Sequence, residues 1–177
     1  RPPHRARNED QVATYSRSLA HRISNGIAQG QFTLVVGGDC SVVLACLIAA
    51  RKKAGDDVGL VYVDAHADFA LPDESLTGSP SSMALALATG RGDSSLARLA
   101  GAMPLVGDHR VALLGRRDDP RDWPGRDALA ASSILEVPSG QLQVDDWLEI
   151  AATTLDHVAP PDVRGFWIQV DADVLDP

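Results

Sequence analysis

The segment Asp64-Ala65-His66-Ala67-Asp68 sets two carboxylates and an imidazole at every second residue, and Asp171-Ala172-Asp173 repeats that spacing with two carboxylates. In an extended chain alternate side chains share a face, so each cluster can aim its donors the same way. Carboxylates bridge metal ions readily, and a neutral imidazole adds a directional nitrogen. Four carboxylates crowded together without a cation repel one another and raise their pKa values, a penalty that a bound cation removes. Each cluster directly follows an apolar run, Gly59-Leu60-Val61-Tyr62-Val63 in one case and Phe166-Trp167-Ile168-Gln169-Val170 in the other. One such cluster alone reads as a solvated loop. The pair reads as one metal site assembled from distant sequence.

The elements that must position these clusters follow from hydrophobic periodicity. Residues 1–8, rich in Pro and Arg, form an irregular lead-in, with Asn8 or Asp10 available as a helix cap. Val12, Leu19, Ile23 and Ile27 recur at helical spacing and predict a helix to about residue 29, with Gly30 as its stop. Residues 32–36 are a short continuous apolar run, expected to be a buried parallel strand. The turn Gly37-Gly38-Asp39-Cys40 then leads into an apolar helix over 41–53. A strand over 58–63 is followed by a long polar connection, 64–80, of a length that is often functional. Short helices are expected at 83–89 and near 94–100, strands at 110–114 and 134–137 with a helix around 126–131 between them, a helix over 144–158, and a last strand at 166–170. Strands alternating with helices predict a single α/β domain over 1–177, with a mostly parallel sheet covered on both faces. Right-handed crossovers put all strand C-termini on one edge, so the residues after Val36, Val63 and Val170 should converge there.

A chain of 177 residues is near the size of one domain and can bury a substantial core. No apolar run reaches the ~18 residues of a membrane span. The net charge of −8 excludes a nucleic-acid partner held by phosphate neutralisation. Cys40 and Cys46 give no disulfide framework and no secretory leader is visible, so a cytoplasmic protein is expected. Their spacing fits no zinc finger, and Cys46 falls inside an apolar helix as a core residue. Gly37-Gly38 is followed by neither Gly-x-Gly-x-x-Gly nor Gly-Lys-Ser/Thr, and Ser41 lacks a nucleophile frame. His4, His21, His109 and His157 are expected at the surface or at caps. Asp118-Asp119 and Asp145-Asp146 are expected to be solvated or capping, the latter pair opening a helix near Trp147, and Asp176 to shape the turn after the last strand.

Gly37-Gly38-Asp39-Cys40-Ser41, Asp64-Ala65-His66-Ala67-Asp68 and Asp171-Ala172-Asp173-Val174-Leu175-Asp176-Pro177 resemble, in order and context, the three signatures of the ureohydrolases, the family of arginase, agmatinase and formiminoglutamase. The resemblance spans residues 37–177. It implies a three-layer α/β/α fold and a centre of two manganese ions that activates water for attack on a guanidino, amidino or formimino carbon, cleaving a linear, non-peptide C–N bond. It also implies a small-molecule substrate and a homo-oligomer. Carried over by position, one ion would take Cys40, Asp64, Asp68 and Asp171, and the other His66, Asp64, Asp171 and Asp173. Asp64 and Asp171 would bridge, and His66 and Asp68 are the residues the resemblance places in catalysis. Two ions held ~3.5–4 Å apart lower the pKa of a shared water.

The sequence departs from this pattern in three places. Where the family has His, this chain has Cys40, and a thiolate is a softer ligand than manganese prefers. Cys40 could therefore ligate zinc, nickel or iron(II); it could leave one metal bound mainly at His66, Asp64, Asp171 and Asp173; or the site could be unfilled. Cys40 also reads as a small buried residue or as a reactive thiol at a helix start. Thr77-Gly78-Ser79-Pro80 stands where arginases resemble His-Gly-x-Pro, and a hydroxyl cannot buffer protons near pH 7 as imidazole can. The chain also resembles a fragment lacking part of the family's N- and C-terminal regions. Three functions follow as expectations: a ureohydrolase-type enzyme, a catalytically impaired homologue acting as a metal- or ligand-binding module, and a deacetylase-like hydrolase in which an Asp-x-His pair holds zinc.

Overall fold

Four strands, β1 (Gly59–Val63), β2 (Val111–Leu114), β3 (Leu135–Val137) and β4 (Phe166–Val170), form one sheet in the order β3-β2-β1-β4. Every pairing is parallel. The computed structural model describes residues 5–92, 94–101, 104–117, 123–144 and 146–175. The expectations for His4, Asp118, Asp119, Asp145 and Asp176 lie outside the described residues.

The two faces of the sheet follow from strand alternation. Leu60 and Tyr62 of β1, with Val111 and Leu113 of β2, pack into one buried cluster with Val43, Leu44 and Leu47. These last three belong to helix α2 (Val42–Ala54), which follows α1 (Glu9–Ala28). The intervening residues Val61 and Ala112 pack on the opposite face with Val158. Val158 ends the last of the further α-helices among the described residues, α3 (Ala84–Ala88), α4 (Arg126–Ala130), α5 (Ser139–Val144) and α6 (Trp147–Val158). Helices thus cover both faces, giving the expected three layers. Helix α2 is buried at every position from Val42 to Ala50 because it lies beneath α1 and α3 as well as on the sheet. Helix α1 presents Ala13, Ser16, Ala20 and Ile23 inward at helical spacing. Its first turn is fixed by Glu9, whose carboxylate accepts from Ala6 N at 2.9 Å and from Ser95 N and Oγ at 2.9 and 2.6 Å. Among the described residues no helix is long and apolar enough to cross a membrane.

Three local expectations are corrected. Residues 32–36 are not a strand: the segment pairs with no strand among the described residues, and Phe32 and Val36 are 94% and 89% exposed. Val35 packs beside Ile23, Cys46 and Ala49 of the two first helices, but no strand among the described residues pairs with the run. Residues 95–100 are turns rather than a helix. The helix expected over 144–158 begins three residues later, at Trp147, because Asp146 accepts from Leu148 N at 2.8 Å and caps it, and a separate short helix, α5, precedes it. That Asp146 opens the helix at Trp147 agrees with the sequence.

The connection after β1 is held down by backbone contacts. The Asp68 carbonyl accepts from Leu85 N and Ala86 N at 3.1 and 3.2 Å, and Ala70 N donates to Ser82 O at 3.1 Å. On its other side sits Gly125, at φ 89°, where a Cβ would lie 2.0 Å from the Phe69 carbonyl oxygen. Gly125→Ala combines left-handed strain with a backbone clash and should destabilise the protein by about 2–4 kcal/mol. Urea denaturation of the two proteins measures this, and a difference below about 0.5 kcal/mol would refute the tight packing of α4 on this connection.

Candidate metal centre

The register of the sheet sets the site. Val63 of β1 lies opposite Val170 of β4, so the next residues, Asp64 and Asp171, leave neighbouring strands about 4.8 Å apart. Asp171 N donates to Val63 O at 2.8 Å, and Asp64 N donates to Leu114 O at 3.0 Å, so three strand ends are tied together at this point. The chain then turns differently at each end. After β4, residues Ala172–Val174 form a 3-10 turn in which Asp171 Oδ1 accepts from Asp173 N at 3.0 Å. This brings Asp173 back over the first cluster, where its Oδ1 accepts from Ala65 N at 3.2 Å and its Oδ2 lies 2.9 Å from His66 Nδ1. After β1 the chain does not stay extended. Asp68 adopts φ 48°, a left-handed conformation that aspartate tolerates better than most residues.

Two groups of donor atoms result, each with its atoms within 4.8 Å of one another: Cys40, Asp64 and Asp68, and Asp64, His66 and Asp173. Asp64 belongs to both. Asp171 joins through Cys40, whose Sγ lies 2.8 Å from Asp171 Oδ2 and 3.6 Å from Asp64 Oδ2. The turn before α2 thus converges with the two strand ends, although residues 32–36 form no strand. Cys46 is buried in the core of α2, and Ser41 hydrogen-bonds Asp39 at the helix start. Thr77 is exposed and its Oγ1 accepts from Ser79 N at 3.2 Å, so its hydroxyl organises its own loop.

Two contributors escaped the sequence reading. Tyr62, fully buried, donates its hydroxyl to Asp68 Oδ2 at 2.7 Å. Strand alternation would have revealed it, since Tyr62 lies two residues before Asp64 on the same face. Arg117 follows the end of β2; its guanidinium donates to the carbonyls of Asp173 and Val174 at 2.5 and 3.1 Å, and its N–H donates to Ala65 O. It clamps the two donor loops together, and only the tertiary structure brings it there.

The electrostatics are uneven. Burial, followed by the charge of Asp68, pushes Asp64 up to about 7. Burial pushes Asp68 up to about 6, against the hydrogen bonds from Tyr62 and Cys40. Asp171 is held below the ordinary carboxylate range by the Asp173 N–H and by Cys40. Burial and the neighbouring Asp68 charge raise Cys40. Buried carboxylates that resist ionising beside a thiol and an imidazole fit a divalent cation, which supplies the missing positive charge.

The fold and the site together define a class: a three-layer α/β protein with a candidate metal centre at the carboxyl ends of its parallel strands. The chain belongs to the arginase family, whose model matches residues 4–177. It is 28% identical to the arginase of Staphylococcus aureus (strain MRSA252) over 171 residues, covering 97% of this chain and 55% of that protein. The crystal structure of arginase from Bacillus cereus superposes with a TM-score of 0.82 at 28% identity, over 94% of this chain and 56% of the other. That of Entamoeba histolytica arginase in complex with L-ornithine shares the fold, with a TM-score of 0.80 at 22% identity over 95% of this chain and 56% of the other. The chain spans about half the length of the curated relatives it matches.

The raised Asp64 has a measurable consequence. Between about pH 4 and pH 7 an unfolded aspartate has released its proton while folded Asp64 retains it, so the folded state binds more protons and stability falls as pH rises. His157, whose pKa burial lowers, contributes with the opposite sign in its own range. The diagnostic is therefore a difference: with chelator present, Asp64→Asn should gain stability relative to the wild type as pH rises from about 5 to about 8. Denaturation midpoints at several pH values read this directly, and a gap that stays constant would contradict the burial of Asp64.

Proposed function

We propose that the protein carrying this chain is a metal-dependent hydrolase that cleaves a linear, non-peptide C–N bond of a guanidino, amidino or formimino compound. The observation that carries this reading is the sharing of Asp64 between the Cys40–Asp64–Asp68 and Asp64–His66–Asp173 groups, an arrangement suited to two cations with a carboxylate between them. Membership in the arginase family supports it. When bound, the cations supply Lewis acidity, lowering the pKa of the attacking water and stabilising charge that develops in the transition state.

The chain's own residues do the rest. Asp64, 1% exposed and accepting from His66 N at 2.8 Å, is fixed between the two groups. Asp68 is oriented by its left-handed backbone and by Tyr62. Asp171 backs Cys40, while Asp173 orients His66. His66, with 60% of its side chain exposed, would be the nitrogen donor at the open end of the centre, where substrate approaches. The net charge of −8 favours a cationic small molecule. Oxygen and nitrogen donors at the His66 end suit manganese, and a sulfur at the other end suits zinc, nickel or iron(II). Two free cysteines accord with a cytoplasmic setting, and a homo-oligomer is part of the proposal.

The cation-loaded protein should release urea, ammonia or formamide from a panel of arginine, agmatine and formiminoglutamate. Asp64→Asn and His66→Ala should each lower kcat/KM about 10–100-fold or more. Elemental analysis that finds no manganese, zinc, nickel or iron would end the proposal. The exposed Thr77 hydroxyl favours a second reading, a metal-binding homologue without turnover; cation binding with no turnover anywhere in the panel would select it.

A further inference from the structure

We infer that Cys40 is a thiolate donor that biases its end of the centre toward zinc(II) and away from manganese(II). This deepens the proposed function and rests on the reading that the cluster binds divalent cations.

Three features carry it. The first is spacing. Zinc bound tetrahedrally by a thiolate at ~2.3 Å and a carboxylate at ~2.0 Å separates sulfur and oxygen by about 3.5 Å, and Cys40 Sγ lies 3.6 Å from Asp64 Oδ2. The second is rigidity. Cys40 is 7% exposed at the turn into α2, where its carbonyl accepts from Val43 N at 3.1 Å. Its sulfur is therefore presented to the carboxylates by fixed backbone rather than by a mobile loop.

The third is how the carboxylates are already engaged. Tyr62 donates to Asp68 Oδ2, His66 N to Asp64 Oδ1, and Asp173 N to Asp171 Oδ1. The other oxygens of Asp64 and Asp171 face the Cys40 thiol itself, at 3.6 and 2.8 Å, so the thiol proton stands where a cation would replace it. A donor set that includes sulfur suits the four-coordinate geometry of zinc better than the oxygen-rich octahedron typical of manganese. Binding requires the thiol to release its proton to solvent, so loading of this position is accompanied by proton release.

The test uses cobalt(II), zinc(II) and manganese(II) with the wild type and with Cys40→Ser and Cys40→His, each checked for native circular dichroism. Cobalt(II)-loaded wild type should show a sulfur-to-cobalt charge-transfer band in the near ultraviolet that Cys40→Ser lacks. The ratio of zinc to manganese affinity should fall about tenfold or more in Cys40→His. Cobalt binding without that band, or an unchanged zinc-to-manganese ratio in Cys40→His, would overturn the inference while leaving the metal-dependent reading intact. A folded wild type that binds none of the three cations would overturn both.

Discussion

The parallel pairing of β1 with β4 is the constraint on which the candidate centre depends. Because Val63 lies opposite Val170 and Asp171 N donates to Val63 O, two aspartates remote in sequence emerge side by side. A shift of one residue in this register would turn one of them to the other face of the sheet. The remaining donors are placed relative to that pair. The 3-10 turn after β4 returns Asp173 to His66, the left-handed turn at Asp68 brings a third carboxylate inward, and the start of α2 supplies Cys40. Arg117, just past β2, then fastens the two loops to each other.

Within this cluster, residues of one type behave in opposite ways. Asp171 is met by a backbone N–H and by the Cys40 thiol, which stabilise its charge. Asp64 accepts a backbone N–H too, but it is more deeply buried and stands beside Asp68, so its ionisation is suppressed. The fold thus satisfies the carboxylate on the β4 side with its own donors and leaves the β1 side short of positive charge. That imbalance locates where a cation would have the greatest effect, between Asp64 and Asp68.

Much of this was legible in the sequence, for identifiable reasons. β1 and β4 were recognisable because apolar runs ended abruptly in carboxylates, and a parallel sheet forces such ends onto one edge. The start of α6 is legible in the capping residue Asp146, whereas α5, over Ser139–Val144, is too short for hydrophobic periodicity to mark it. Residues 32–36 misled because composition records what a strand could bury, whereas pairing depends on a neighbour. The left-handed backbone of Asp68 was hidden for a similar reason. Its conformation is imposed by Leu85 and Ala86 N–H groups from a distant helix, and an extended run of alternating donors was the simpler local expectation. Tyr62 read as one more core residue because its hydroxyl has a partner only once the turn after β1 is formed.

The exposure of the donors follows the covering of the sheet. β1 lies between two strands with helices over both faces, and Asp64 at its end is buried. β4 pairs with β1 alone among the described residues, and Phe166, Ile168 and Val170 on one of its faces remain exposed. Asp173, beyond its end, has 41% of its side chain exposed, and its partner His66 has more. The cluster is therefore closed on the β1 and α2 side, where Cys40, Asp64 and Asp68 sit, and open on the β4 side. A cation held against the closed side would be shielded from water by the core, which strengthens its attraction to the carboxylates. A reactant would meet His66 and Asp173 first. The cluster thus has buried donors at the back and accessible ones at the front, a polarity that arises from which strands of the sheet are covered.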